Sequence, residues 1–144
     1  MFEDYPRETV VKSGACILLN PLVTDDKDRL VDFFSRIPEE ELWFLRADLS
    51  DPEEILRWCE ELDYDRIVPV AAINPEDDAI VALLRLYRRP SKCMRHIAHL
   101  RILVDPAFRH QRLGTWMLLD SFKLAMDMGI EKLVAEFVVG VEES

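Results

Sequence analysis

The segment from residue 95 to residue 139 constrains the fold most. RHIAHLRILV at 95–104 is a β-rich run closed by Asp105 and Pro106, and KLVAEFVV at 132–139 is a second such run. Between them Thr115, Leu118, Leu119, Phe122, Ala125, Met126 and Gly129 recur at helical spacing, with Asp120, Ser121, Lys123 and Asp127 opposite. The spacing predicts a long amphipathic helix whose apolar stripe faces the core. Gly129 suits the left-handed residue that closes such a helix. A strand, a helix and a strand in succession make a right-handed crossover, so the two strands are expected to lie parallel in one sheet.

The earlier chain reads as further layers on that unit. ACILL at 15–19, followed by Asn20 and Pro21, suits a first strand ended by a turn. Thr24 reads as an N-cap with Asp25 and Asp26 in the positive first turn, and Leu30, Phe33, Phe34 and Ile37 share a stripe, predicting a helix over 25–36. Ser50 and Glu53 form a capping box, and Ile55, Trp58, Cys59 and Leu62 predict a second helix over 51–62. The period then changes. IVPVAAI at 67–73 and AIVALLRLY at 79–87 are strands joined by a turn over 74–78, and residues 89–92 turn the chain into 95–104. Pro69 has no N–H, so it belongs at an unpaired position or a bulge. The result is a three-layer α/β sandwich: a mixed, mostly antiparallel sheet with helices on both faces, and a parallel pair formed by 95–104 and 132–139.

A chain of 144 residues fits one domain spanning 1–144. Its 28 acidic residues against 18 basic ones give a net charge of −10, which repels phosphate backbones and anionic membranes, so neither nucleic acid nor membrane is expected as a partner. The N-terminus lacks the basic and apolar regions of a signal peptide, and the expected location is cytoplasmic. Cys16, Cys59 and Cys93 are odd in number and far apart, without a C-x-x-C pair, so they define neither a disulfide framework nor a zinc site. The four glycines, Gly14, Gly114, Gly129 and Gly140, permit neither a G-x-G-x-x-G turn nor a P-loop.

The chemistry concentrates in VDPAFRHQRLGTWMLL, residues 104–119. A strand end, a tight turn and a helix N-terminus follow one another directly, so first-turn N–H groups and the helix dipole converge on one point. Arg109 and Arg112 add positive charge there, in a chain that is otherwise acidic. That point suits an anion, and a phosphorylated ligand in particular.

This stretch resembles the acetyl-CoA signature of the GNAT N-acetyltransferase superfamily: a strand ending in Val-x-Pro, then arginine or glutamine, two residues, glycine, any residue, and glycine or alanine. Arg109 fills the first place and Gly114 the last; Arg112 stands where the family usually has a glycine. The order of elements over 15–139 is also similar. The resemblance implies acetyl-CoA as cosubstrate, with its pyrophosphate on Arg109, His110, Gln111, Arg112, Leu113, Gly114 and Thr115, and its pantetheine arm against Ile102, Leu103 and Val104. It implies transfer of an acetyl or other acyl group to a primary amine, on a small molecule or a protein. The alternative is a non-catalytic acyl-CoA-binding sensor or regulatory domain of the same fold.

Acylating an amine requires a base for the ammonium proton. Glu136, between Val134 and Val138, is one candidate; an ion pair with Arg101 or Lys132 is its other reading. His99 and His96 are the other candidates. Three residues apart, they point to opposite faces of a regular strand, which also argues against a metal held by Cys93, His96 and His99. No metal is expected. No nucleophile stands beside a base, so direct attack by the amine is the expected route. The resemblance further implies a helix and a hairpin after the last strand, whereas the sequence given ends at Ser144. The expectation is therefore either a second copy of the chain against the edge of 133–139, forming a homodimer, or a protein that is destabilised and poorly active as given.

Overall fold

The structure is a computed structural model of the chain, and it describes residues 5–38, 67–88, 96–108 and 112–136. Among these residues six strands form one sheet in the order β1-β2-β3-β4-β5-β6: β1 (Arg7–Val10), β2 (Cys16–Pro21), β3 (Ile67–Asn74), β4 (Ala79–Arg88), β5 (Ile97–Val104) and β6 (Lys132–Glu136). Neighbours from β1 to β5 are antiparallel, and β5 and β6 are parallel, with Ile97 opposite Lys132 and Arg101 opposite Glu136. Helix α1 (Lys27–Ser35) lies on one face and helix α2 (Leu113–Asp127) on the other. The three-layer sandwich and the parallel crossover match the expectation. The helix expected over 51–62 and the turn over 89–92 lie outside the described residues.

The two faces carry separate cores because every strand alternates its side chains. On the α1 side, Leu30, Phe33 and Phe34 pack against Ala71, Ile73, Ile80, Leu83 and Leu103. On the α2 side, Leu113, Met117, Leu124 and Ala125 pack against Ile17, Leu19, Val70, Leu84, Leu100 and Val104. The fully buried Phe33 alone is worth about 3–5 kcal/mol against truncation to alanine.

Pro69 sits where the β2 ladder gives out. Its carbonyl accepts the Leu22 N–H, and its ring nitrogen faces the same side, past the last β2–β3 pair at Pro21 and Val70. In the β3–β4 turn, Asp78 takes a φ of 62°, and the side chains of Asn74 and Asp77 accept the N–H groups of Glu76 and Ala79.

Three local readings are corrected. The α-helix begins at Lys27, not at 25, because a 3-10 turn occupies Thr24–Asp26; Asp26 closes it by accepting the Val23 N–H at 2.9 Å. Strand β1 was not expected. Its alternation is inverted, with Thr9 buried and Val10 exposed, so hydrophobicity gives no strand signal there. The third correction concerns the face of α2. Leu113, Met117, Asp120, Ser121, Leu124 and Ala125 are buried, whereas Leu119, Phe122 and Met126 are exposed. Asp120 points inward because it has partners there: Tyr5 Oη donates to Oδ2 at 2.5 Å, and Arg7 Nη1 lies 2.5 Å from Oδ1. Ser121 Oγ is satisfied by donating to the Leu118 carbonyl at 2.5 Å.

Candidate functional site

The end of β5 and the short turn that follows it are held by one carboxylate. Asp105 is buried, its N–H donates to the Val81 carbonyl at 2.9 Å, and its carbonyl accepts the Phe108 N–H at 2.8 Å. Its Oδ1 accepts the Ala107 N–H at 2.9 Å, shaping the single 3-10 turn Pro106–Phe108. Its Oδ2 lies 2.8 Å from Nη1 of Arg36, the residue that ends α1, and Arg36 Nη2 donates to the Ile80 carbonyl at 2.6 Å. These contacts of Arg36 and Asp105 tie the end of α1, the start of β4 and the turn after β5 together. The sequence shows Asp105-Pro106 only as a strand stop; its partner lies too far along the chain for any local pattern to reveal.

Of the turn itself, Arg109, His110 and Gln111 lie outside the described residues. Arg112 immediately precedes α2 with a φ of 67°, and its side chain makes no capping hydrogen bond to the helix. The first α2 hydrogen bond runs from the Trp116 N–H to the Arg112 carbonyl at 3.0 Å. The N–H groups of Leu113, Gly114 and Thr115 therefore precede the helical ladder and point out of the N-terminal end. A Cβ placed on Gly114 would meet nothing within 4 Å, so the fold itself does not require glycine there. Among the described residues, this end of α2 presents first-turn backbone donors, a helix dipole and the exposed Arg112, features that favour negative charge at a helix start.

Ile102, Leu103 and Val104 pair with Leu84, Leu83 and Ala82 of β4. Leu103 is buried in the core under α1 and Val104 in the core under α2. Any ligand running along these two residues would meet their backbone rather than their side chains.

The base candidates spread along the parallel pair. Glu136 is at register with Arg101. His99, at register with Val134, is half-buried and stacks on Tyr87 with ring centroids 5.2 Å apart. His96 is exposed and precedes β5, where its carbonyl accepts the N–H groups of Glu131 and Lys132. At about 3.3 Å per residue, His96 stands the length of the strand away from Asp105, roughly 25–30 Å. The structure thus separates the two histidines along the strand.

His99 has neighbours that the sequence reading missed. Alternation from Leu83 and Leu103 puts Arg85, Tyr87, His99 and Arg101 on the α1 side, with Arg85 opposite Arg101 and Tyr87 opposite His99. The Arg101 guanidinium lies 5.4 Å from the centre of the Tyr87 ring. Burial, and then the like charge of Arg101, pulls Arg85 down to about 10, which still leaves it a cation at neutral pH. Paired positions in the two strands carry this cluster, so register would have been needed to find it. Among the described residues, no three His, Cys, Asp or Glu side chains are grouped to hold a metal ion, and no helix is long and apolar enough to cross a membrane.

Sequence and structural comparisons agree with this architecture. The profile of the Acetyltransferase (GNAT) family matches residues 27–143, and the chain belongs to that family. No curated protein matches it. Among solved structures it is similar to the GNAT domain of S. lividans PAT, with a TM-score of 0.79 and 21% identity, covering 94% of this chain and 84% of that one. It is similar also to the ribosomal-protein-alanine N-acetyltransferase of Brucella melitensis biovar Abortus 2308, at a TM-score of 0.63 and 13% identity over 83% and 79% of the two chains. An aminoglycoside acetyltransferase from an uncultured soil metagenomic sample, solved with sisomicin, gives a TM-score of 0.59 and 16% identity over 85% and 78%. At these identities the likeness is one of fold.

Proposed function

We propose that this protein transfers an acetyl or other acyl group from its CoA thioester to a primary amine. The observation that carries the reading is the N-terminus of α2 in a GNAT chain: helical donors at Leu113, Gly114 and Thr115 that no side-chain cap from Arg112 covers, open space at Gly114, and the turn after β5 fixed by Asp105. In this reading residues 109–115 take the pyrophosphate, and the backbone of Ile102, Leu103 and Val104 guides the pantetheine arm. Glu136 is the first choice for the base that removes the ammonium proton, then His99, then His96. The freed amine attacks the thioester carbon, the C–N bond forms as the C–S bond breaks, and the departing thiolate takes up a proton. The acceptor is a small molecule or a protein bearing a primary amine, in the cytoplasm.

Release of free thiol from acetyl-CoA across a panel of primary amines tests the reading. We expect Glu136→Gln to lower turnover by about 10²–10⁴-fold while leaving coenzyme affinity nearly unchanged. Unchanged turnover in Glu136→Gln would move the base to His99. Absence of thiol release with every amine, despite coenzyme binding, would reduce the protein to a binding module.

A further inference from the structure

Two arginines face each other across β4 and β5. Arg85 and Arg101 are directly opposite in the antiparallel register, and Tyr87 and His99 form the next pair on the same face. Arg101 is buried, whereas Arg85, Tyr87 and His99 are half-buried, so the cluster reaches solvent. Opposed Cβ atoms in such a pair lie about 4.5–5.5 Å apart, and like charges in that position repel. Desolvation adds several kcal/mol per ion. An anion shared between the two guanidinium forks removes the repulsion and offsets the desolvation. The aromatic pair shapes the place for it: Tyr87 stacks on His99 with centroids 5.2 Å apart and has the Arg101 guanidinium 5.4 Å from its ring centre.

The cluster also lies where the acyl end of the coenzyme arrives. With the pyrophosphate at 109–115 and the pantetheine arm running back along Val104, Leu103 and Ile102, the next residue of β5 is Arg101, at register with Glu136. The amine to be acylated therefore has to sit beside this pair of cations. An arginine is already protonated and cannot take up the ammonium proton, so the pair binds and does not act as the base.

We propose that Arg85 and Arg101 hold a carboxylate of the acceptor, which makes the substrate a small molecule of the amino-acid type. The inference rests on the acyl-transfer reading above. The two carboxylate oxygens match the planar forks of the guanidinium groups, and the amine of the same molecule is left to meet the thioester.

Thiol release from acetyl-CoA tests it, with each amino acid set against the amine it gives on losing its carboxyl group, such as tyrosine against tyramine and histidine against histamine. We expect the acid of the best pair to be favoured about 10–100-fold in kcat/KM, the worth of one hydrogen-bonded charge. Arg85→Gln should abolish that preference by raising KM for the acid rather than by lowering kcat, and Arg85→Lys should restore part of it. The melting temperature reports whether the variants fold. Equal use of acid and amine overturns the proposal, and so does a preference that survives Arg85→Gln. Phosphoethanolamine outperforming every amino acid also overturns it, by replacing the carboxylate with a phosphate. The melting temperature of the CoA-loaded protein with millimolar amino acids separates this proposal from the reaction itself. If no amine releases thiol, the acyl-transfer reading fails. A rise with amino acids that is lost in Arg85→Gln then still upholds the carboxylate site, and no rise overturns it.

Discussion

Arg112 holds a φ of 67°, a conformation that costs an L-residue with a side chain roughly 1–2 kcal/mol and a glycine almost nothing. Arg112→Gly should therefore leave stability unchanged or raise it by up to about 1 kcal/mol in urea unfolding, with coenzyme affinity unchanged or improved. A strong loss of affinity would make Arg112 a direct phosphate ligand. Two residues on, Gly114→Val should fold, since its Cβ enters open space, yet lose coenzyme binding in calorimetry. Asp105 joins the turn to α1. Asp105→Asn keeps an oxygen for the Ala107 N–H but loses the charge that Arg36 meets, so coenzyme affinity should fall about 10-fold, the worth of one charge-assisted contact. Arg36→Lys should recover part of the affinity lost in Arg36→Met; equal affinity in all three variants would remove the pair from any positioning role. The positions of Arg112 and Gly114 were legible in the sequence because a local spacing carries them. The Asp105–Arg36 pair was not, because it is a tertiary contact between distant segments.

At the scale of elements, hydrophobic period was decisive wherever one face alone was apolar. The β3–β4 hairpin, the β5–α2–β6 crossover and α1 follow directly from it, apart from the start of α1, which Asp26 moves to Lys27. The inward face of α2 did not follow, because its sequence offers two apolar stripes. What decides between them is Asp120, which turns inward to meet Tyr5 and Arg7. That contact also fastens β1 to the α2 layer. Burial, reinforced by the hydrogen bond to Asp120, raises the Tyr5 hydroxyl above its ordinary pKa, so it stays protonated and donating through neutral and moderately alkaline pH. Tyr5→Phe should cost about 1 kcal/mol in chemical denaturation. Asp120→Ala should cost more, about 2–3 kcal/mol, because it leaves the phenol and the Arg7 guanidinium without their shared acceptor. Equal stability of Asp120→Ala and the parent chain would show that β1 is held by its ladder to β2 alone.

At the scale of the whole molecule, one sheet carries two cores, and the N-terminal end of α2 lies beyond the end of β5. The succession of β3, β4 and β5 and the parallel pair were legible because connection rules leave few topologies for these elements, whereas β1 was not. The base and the acceptor were not, since both depend on which side chains converge across strands. The net charge of −10 sets a long-range field that repels an anionic coenzyme, so binding has to come from the local donors at 112–115 and should weaken little as salt screens that field. The central claim is that those donors hold a CoA thioester, and the melting temperature with and without acetyl-CoA tests it most directly. At a hundred times its dissociation constant, acetyl-CoA should add about 2.7 kcal/mol. For a chain of this length that is a rise of roughly 5–10 °C. A melting temperature that does not move at millimolar acetyl-CoA would contradict the account.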